Sequence, residues 1–213
     1  QDHWLIDNFS TGYYLPSSND SVHHKRAVQS SPAHSSTQPT NTGAFQSGDF
    51  QMGYIDHGTS PNSASYEYAV IPKATPAEMG QFLTKMQSAA PAYEVHQQSS
   101  SAHIVEEKEM NIWGYALFSS SASFPASGPL AVVSSQCLLM ADTSVPGALN
   151  VSITNPDMGL SVKSMATVPT RQITYTVKGL WSLPAPNANV LSISQNGGHT
   201  TLTEHVIKAA SME

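Results

Sequence analysis

From Tyr93 onward the sequence is a succession of short runs rich in β-branched, aromatic and aliphatic side chains. They fall at Tyr93–His96, His103–Glu106, Ile112–Phe118, Leu130–Val133, Cys137–Met140, Leu149–Ile153, Leu160–Met165, Ile173–Val177, Val190–Ser194 and Thr201–Ile207. Runs this short, bounded by turn residues, are strands rather than helices. Pro125, Pro129, Pro146, Pro156, Pro169, Pro184 and Pro186 stand between them, where a missing N–H costs no ladder bond. The spacing leaves little room for crossover helices, so neighbours run antiparallel and the pattern predicts an all-β fold of antiparallel β-sandwich layers. Asn196-Gly197 is placed at the centre of a hairpin turn, of the type that needs positive φ at both central residues.

The N-terminal part reads differently. His3–Ile6 and Tyr13–Leu15 are short strand candidates on either side of a loop rich in turn formers. Residues 16–53 shift to Ser, Thr, Gln, Pro and Gly, and predict a long surface connection, with one strand conceivable over Val22–Val28 and with Phe45 and Phe50 pinning it to the fold. Tyr54 and Ile55 end a strand, Gly58, Pro61 and Asn62 supply turn chemistry, and Tyr66, Tyr68 and Val70 then alternate with Ser65, Glu67 and Ala69. That alternation predicts a strand burying its two tyrosines and Val70, ended by Pro72. One short helix is predicted near 76–89. Thr75 at the N-cap, Pro76 at N1 and Glu78 at N3 form its start, Met79, Phe82, Leu83 and Met86 its apolar stripe, and Pro91 its stop. The change of pattern puts a domain boundary near Pro91, giving residues 1–90 and 91–213, and no internal repeat is present.

Composition narrows the setting. A chain of 213 residues holds one large or two small domains. Charged residues are only 11%, against roughly 25% in ordinary soluble domains, so Ser, Thr, Asn and Gln carry the polar surface. That suits an extracellular or periplasmic β protein. The formal net charge of −6 argues against nucleic-acid binding and against gripping a polyanion over a wide surface. No apolar run approaches the roughly 20 residues of a membrane span, and the start at Gln1, without a leader, reads as the inside of a longer polypeptide. Cys137 is the only cysteine, which excludes an internal disulfide and makes it a small core residue.

Few residues offer chemistry. Arg26 and Arg171 are the only arginines available to pair with a carboxylate. Asp56-His57 resembles a base with its orienting carboxylate, but adjacent strand residues point to opposite faces. His23, His24 and His34 lack paired metal-ligand spacing and read as solvated loop histidines. Glu106, Glu107, Lys108 and Glu109 read as the solvated end of a strand. Tyr13, Tyr14, Trp113, Tyr115 and Trp181 could stack on sugar rings, although Trp113 and Tyr115 share one strand face and fit a core better. Asn8, Asn19 and Asn150 begin glycosylation sequons, a pattern too permissive to decide anything. No catalytic residue, metal ligand or cofactor is assigned, and substrate-binding residues are left open.

His57-Gly58, Pro61, Ala64, Tyr66, Tyr68 and Pro72 together resemble the C-terminal β region of polysaccharide lyase family 8. His3-Trp4-Leu5-Ile6-Asp7, Gly12-Tyr13-Tyr14-Leu15, Ser65-Tyr66-Glu67-Tyr68, Thr75-Pro76-Ala77-Glu78-Met79-Gly80, Gly114-Tyr115-Ala116 and Asn155-Pro156-Asp157-Met158 resemble its chondroitin sulfate ABC lyases most. The resemblance implies that residues 1–90 are closing strands of a large central β-sandwich and 91–213 a smaller C-terminal β domain. It also implies a parent enzyme that cleaves chondroitin, dermatan or hyaluronan by β-elimination beside a uronic acid. In the family an Asn or Glu, a His, a Tyr and an Arg do this work, mostly on an N-terminal helical domain, and none of those motifs is visible here. The chain is then a support for the cleft, inactive alone, with the N-terminal catalytic portion and an acidic polysaccharide as partners. A stand-alone carbohydrate-binding module is the rival reading, and an adhesive or structural β protein a third.

Overall fold

The computed structural model describes residues 3–17, 21–32, 45–155, 171–185, 187 and 189–206, with backbone only for Pro32, Arg171 and Val206. The chain divides into two compact units, residues 1–87 and 88–213.

In the first unit, β1 (His3–Ile6) and β2 (Gly12–Leu15) form the expected hairpin, and β5 (Ala69–Ile71) pairs with the other edge of β2. Asp7 closes the β1–β2 turn. Its Oδ1 accepts from the backbone N–H of Phe9 at 2.9 Å and of Thr11 at 2.8 Å. The Thr11 N–H is the leading reason its carboxyl lies below the usual range. The region expected as a long connection contains instead a ribbon of two long strands, β3 (Ser21–Pro32) and β4 (Phe45–Asp56), paired over their full lengths. Both faces of the ribbon are mostly polar, so the period-two signal that marks a half-buried strand is missing. Phe45 and Phe50 do not pin it, being 64% and 56% exposed.

Helix α1 (Pro76–Met86) begins as the sequence predicts. The Thr75 hydroxyl accepts from the Glu78 N–H, and the Glu78 carboxylate accepts from the Thr75 N–H at 2.8 Å. It stops earlier than predicted, with Gln87 as C-cap, before Pro91 can act. Met79 is fully buried, and Phe82 meets Tyr14 edge-on with ring centroids 5.4 Å apart. Gly12 permits this contact, since a Cβ there would lie 2.3 Å from the Met79 Sδ and 2.8 Å from the Ala74 Cβ.

The second unit is a sandwich. One sheet has the order β11-β10-β8-β7-β6, comprising β6 (Tyr93–Gln98), β7 (Ala102–Glu107), β8 (Ile112–Leu117), β10 (Cys137–Asp142) and β11 (Asn150–Thr154). The other has the order β13-β14-β12-β9, comprising β9 (Leu130–Val133), β12 (Arg171–Lys178), β13 (Val190–Asn196) and β14 (His199–Val206). All these neighbours are antiparallel. Alternate residues of the two sheets make one core, from Ile104, Trp113, Tyr115 and Leu139 on one side to Leu130, Ile173, Tyr175 and Val177 on the other. Cys137 lies within it, and burial pushes its thiol up to about 11. Lys178 ties the loop before β9 to the end of β12, its Nζ donating to the carbonyls of Pro125, Ala126 and Gly128 at 2.7–2.8 Å.

Two details differ from expectation. The β13–β14 turn is centred on Gly197 and Gly198, with φ of 58° and 79°, one residue later than Asn196-Gly197. Glycine at both positions adopts positive φ more cheaply than Asn does, and the register follows it. The strand expected over Leu160–Met165 lies outside the described residues.

Candidate functional site

The β1-β2-β5 sheet has one covered face and one open face. Residues Tyr14 and Ala69 face one another on the side where α1 packs, while Leu5, Tyr13 and Val70 point to the other. On that open side, Tyr54 and Ile55 at the end of β4 and His57, Tyr66 and Tyr68 from the following loop surround a groove of about 490 Å³. Gly53 lets β4 approach, since a Cβ there would come within 3.0 Å of the Leu5 side chain.

The strand predicted through Tyr66 and Tyr68 is therefore a loop, and only Ala69–Ile71 joins the sheet. Tyr66, Tyr68 and Val70 are 57%, 52% and 48% exposed, the reverse of the burial their alternation predicted. Alternation fixes which side chains share a face but not which face is covered. The loop folds back through Gly58, Ser60 and Ser63, all at positive φ. Asp56 anchors its start, Oδ1 accepting from the Gly58 N–H at 2.8 Å. The Tyr66 and Tyr68 rings lie 6.1 Å apart and 16° from parallel, with the His57 ring 6.2 Å beyond Tyr66. Tyr13 on the floor is steadied by Asp7, whose Oδ2 accepts from the phenol at 3.4 Å.

The groove is lined by phenols, an imidazole and aliphatic carbons. Asp56 does not orient His57, because its carboxylate is turned to the Gly58 N–H and to His23, 3.9 Å away. His23 stacks on Tyr54 at 5.3 Å, and His24, its strand neighbour, points to the opposite face. His34 lies outside the described residues. Arg26 is held by Asp49 at 2.9 Å on the exposed ribbon, and the Arg171 side chain lies outside the described residues.

The other sequence candidates sort by burial. Tyr14, Trp113 and Tyr115 are at most 4% exposed and belong to the cores, while Trp181 packs partly against the second unit's core. The acidic run is not a plainly solvated strand end. Glu107 closes the β7–β8 turn, accepting from the N–H groups of Glu109 and Met110. Glu106 is half-buried and accepts from His96 Nε2 at 2.9 Å, and the Lys108 ammonium bonds Glu94 directly across the hairpin. His96 occupies a bulge between Val95 and Gln97 and lies flat on Trp113, centroids 4.7 Å apart. Donor atoms of Glu94, His96 and Glu106 lie within 4.8 Å of one another, a spacing compatible with a metal. Lys108 already supplies a cation to the same carboxylates, and its bond is the main reason the Glu94 carboxyl lies below its usual range. Lys108 thus offsets one of the two carboxylate charges of the cluster. Sequence reasoning missed it because Glu94 and Glu106 meet only through the hairpin register.

Comparison with known proteins adds an independent line. Residues 1–83 match the family described as polysaccharide lyase family 8, super-sandwich domain. The chain is 32% identical over 206 residues to the chondroitin sulfate ABC endolyase of Proteus vulgaris, covering 95% of this chain and 19% of that protein. It is 33% identical over 157 residues to the chondroitin sulfate ABC exolyase of Bacteroides thetaiotaomicron, covering 74% of this chain and 14% of that one. It thus spans less than a fifth of the curated relatives it matches. Among solved structures, a mutant chondroitin AC lyase of Streptomyces coelicolor A3 superposes with a TM-score of 0.68 at 15% identity, over 96% of this chain and 24% of that one. The Paenibacillus xanthan lyase gives 0.66 at 19% identity, over 92% of this chain and 17% of that one. At such identities these two establish the shared fold. The aromatic groove lies wholly inside the segment that matches the super-sandwich domain.

Proposed function

The chain belongs with the family 8 polysaccharide lyases through residues 1–83, and from that premise we propose that it is the C-terminal β portion of an extracellular or periplasmic glycosaminoglycan lyase. The parent enzyme cleaves chondroitin or dermatan sulfate or hyaluronan by β-elimination beside a uronic acid. Residues 1–90 are closing strands of its central sandwich and residues 91–213 its C-terminal sandwich. This portion supports the cleft and supplies neither base nor acid. No catalytic pair, metal or cofactor is assigned to it, and its partners are the N-terminal catalytic portion and the acidic polysaccharide. No helix among the described residues is long and apolar enough to cross a membrane.

The observation that carries the reading is the groove itself. Tyr54 at the end of β4 and Tyr66 and Tyr68 in the following loop stand 42–57% exposed around the groove within the family segment, where they can pack against sugar rings or against the remainder of the enzyme. Incubating the purified chain with chondroitin sulfate and hyaluronan, and following the ultraviolet absorbance of the 4,5-unsaturated uronate, tests it. The expected outcome is no signal from the chain alone and elimination once the N-terminal portion is added. A rising signal from the chain by itself overturns the supporting role. The near-parallel faces of Tyr66 and Tyr68 also favour a second reading, a carbohydrate-binding module without catalysis. Saccharide binding with no elimination in the reconstituted pair distinguishes that outcome.

A further inference from the structure

The second unit contains a cavity that the supporting role does not use. The five-stranded sheet ends at β11 and the four-stranded sheet at β13. On that side of the sandwich, between β11 and β12–β14, lies a space of about 440 Å³, within the roughly 300–1,000 Å³ of small-molecule sites. Ile193 shares a rung with Leu202 and lines the space, yet is 41% exposed.

Its walls are of two kinds. Leu149, Val151, Ile193 and the Trp181 ring give it an apolar surface. Trp181 is fixed in place: its backbone N–H donates to the Thr200 hydroxyl at 2.8 Å, and its Nε1–H to the Lys178 carbonyl at 2.7 Å. Glu204, half-buried, gives it a carboxylate. The Tyr175 hydroxyl donates to Glu204 Oε1, the side-chain hydrogen bond that Glu204 makes among the described residues. Burial, reinforced by that bond, holds the Tyr175 phenol protonated far above its usual range, so it remains the donor and the carboxylate keeps accepting capacity.

We propose that this cavity is a binding site for a neutral saccharide, with Trp181 packing on the apolar face of a sugar ring and Glu204 accepting hydrogen bonds from its hydroxyls. A ring with one C–H face and a rim of O–H donors satisfies both walls at once. A uronate or sulfate is disfavoured, because it would bring a second anion against Glu204 in a partly desolvated space. The choice of a saccharide over other hydroxyl-bearing rings rests on the lyase reading above. The site itself is distinct from the groove of residues 1–87, and the selectivity is the opposite of what an acidic substrate needs.

Titration of the complete chain with lactose, chitobiose and digalacturonate, followed by the indole N–H signals in NMR spectra, tests it. The signal of Trp181 is identified by its loss in Trp181→Phe. The expected result is a saturable shift of the Trp181 signal with a neutral disaccharide, at least about tenfold tighter than with digalacturonate. Glu204→Gln keeps the shape and removes the charge, so it should weaken the neutral sugar several-fold and narrow the discrimination. Absence of saturation at concentrations up to about 10 mM overturns the proposal, as does equal binding of digalacturonate or an unchanged affinity ratio in Glu204→Gln. None of these readouts involves elimination, so failure here leaves the lyase reading standing, and failure of the absorbance assay removes the ground for choosing a saccharide while this titration still reads binding at the cavity directly.

Discussion

The two units place their large aromatic residues in opposite ways. In residues 88–213, Trp113, Tyr115 and Tyr175 are 1–4% exposed, because a second sheet lies across each face that carries them. In residues 1–87, Tyr14 is equally buried, but Tyr54, Tyr66 and Tyr68 are about half exposed. The difference is the number of layers available to each sheet. A sheet needs cover on every apolar face; in the first unit α1 covers the face carrying Tyr14, while the opposite face is covered only in part, Leu15 being 8% and Val70 48% exposed. The sandwich therefore meets its own packing requirement, whereas the first unit displays an apolar surface that a partner or ligand can use.

The largest expected effect tests the closed side of this comparison. Trp113→Ala should cost about 3–5 kcal/mol, since it empties a core position and removes the surface on which His96 lies. Urea unfolding of the sandwich measures it, and a loss under 1 kcal/mol would mean the core is not closed around this ring. A smaller effect is expected where the first unit is covered. Gly12→Ala drives a methyl into Met79 and Ala74 and should cost about 1–3 kcal/mol. Hydrogen exchange of the α1 amides, beginning with the Met79 N–H bonded to the Thr75 carbonyl, should accelerate. The smallest belongs to the open face: Tyr66→Ala should change stability by no more than about 0.5 kcal/mol, while weakening reconstitution with the N-terminal portion or binding of saccharide. A stability loss as large as that of Trp113→Ala would show that the groove is core and end the comparison.

What could be read before folding depended on whether a signal was local. The capping box of Thr75 and Glu78 was legible because its partners are three residues apart, and it forms as read. The strands of the sandwich were legible because each carries its own apolar face, as in Cys137–Asp142, where Cys137, Leu139 and Ala141 are buried in alternation. The ribbon of β3 and β4 was not, because its residues are polar on both faces and its pairing joins positions up to 35 apart, Ser21 with Asp56. The same limit hid the Glu94–His96–Glu106–Lys108 cluster, which exists only through the register and bulge of one hairpin. The groove was half legible: His57, Tyr66 and Tyr68, which carry the family resemblance, line it, but the two tyrosines were expected inside.

The sequence by itself determined an all-β fold of antiparallel layers, the capped helix that starts after Thr75, the position of the described strands after Tyr93, and a family likeness concentrated around His57 to Pro72. Those follow from periodicity, turn chemistry and residue identity, which act over a few neighbours. Only the tertiary structure decided which aromatic faces are covered, that Tyr66 and Tyr68 face outward over a groove, and that Trp181 and Glu204 meet at one cavity. Those outcomes depend on which layer lies across each sheet, and that is a property of distant segments brought together rather than of any one stretch.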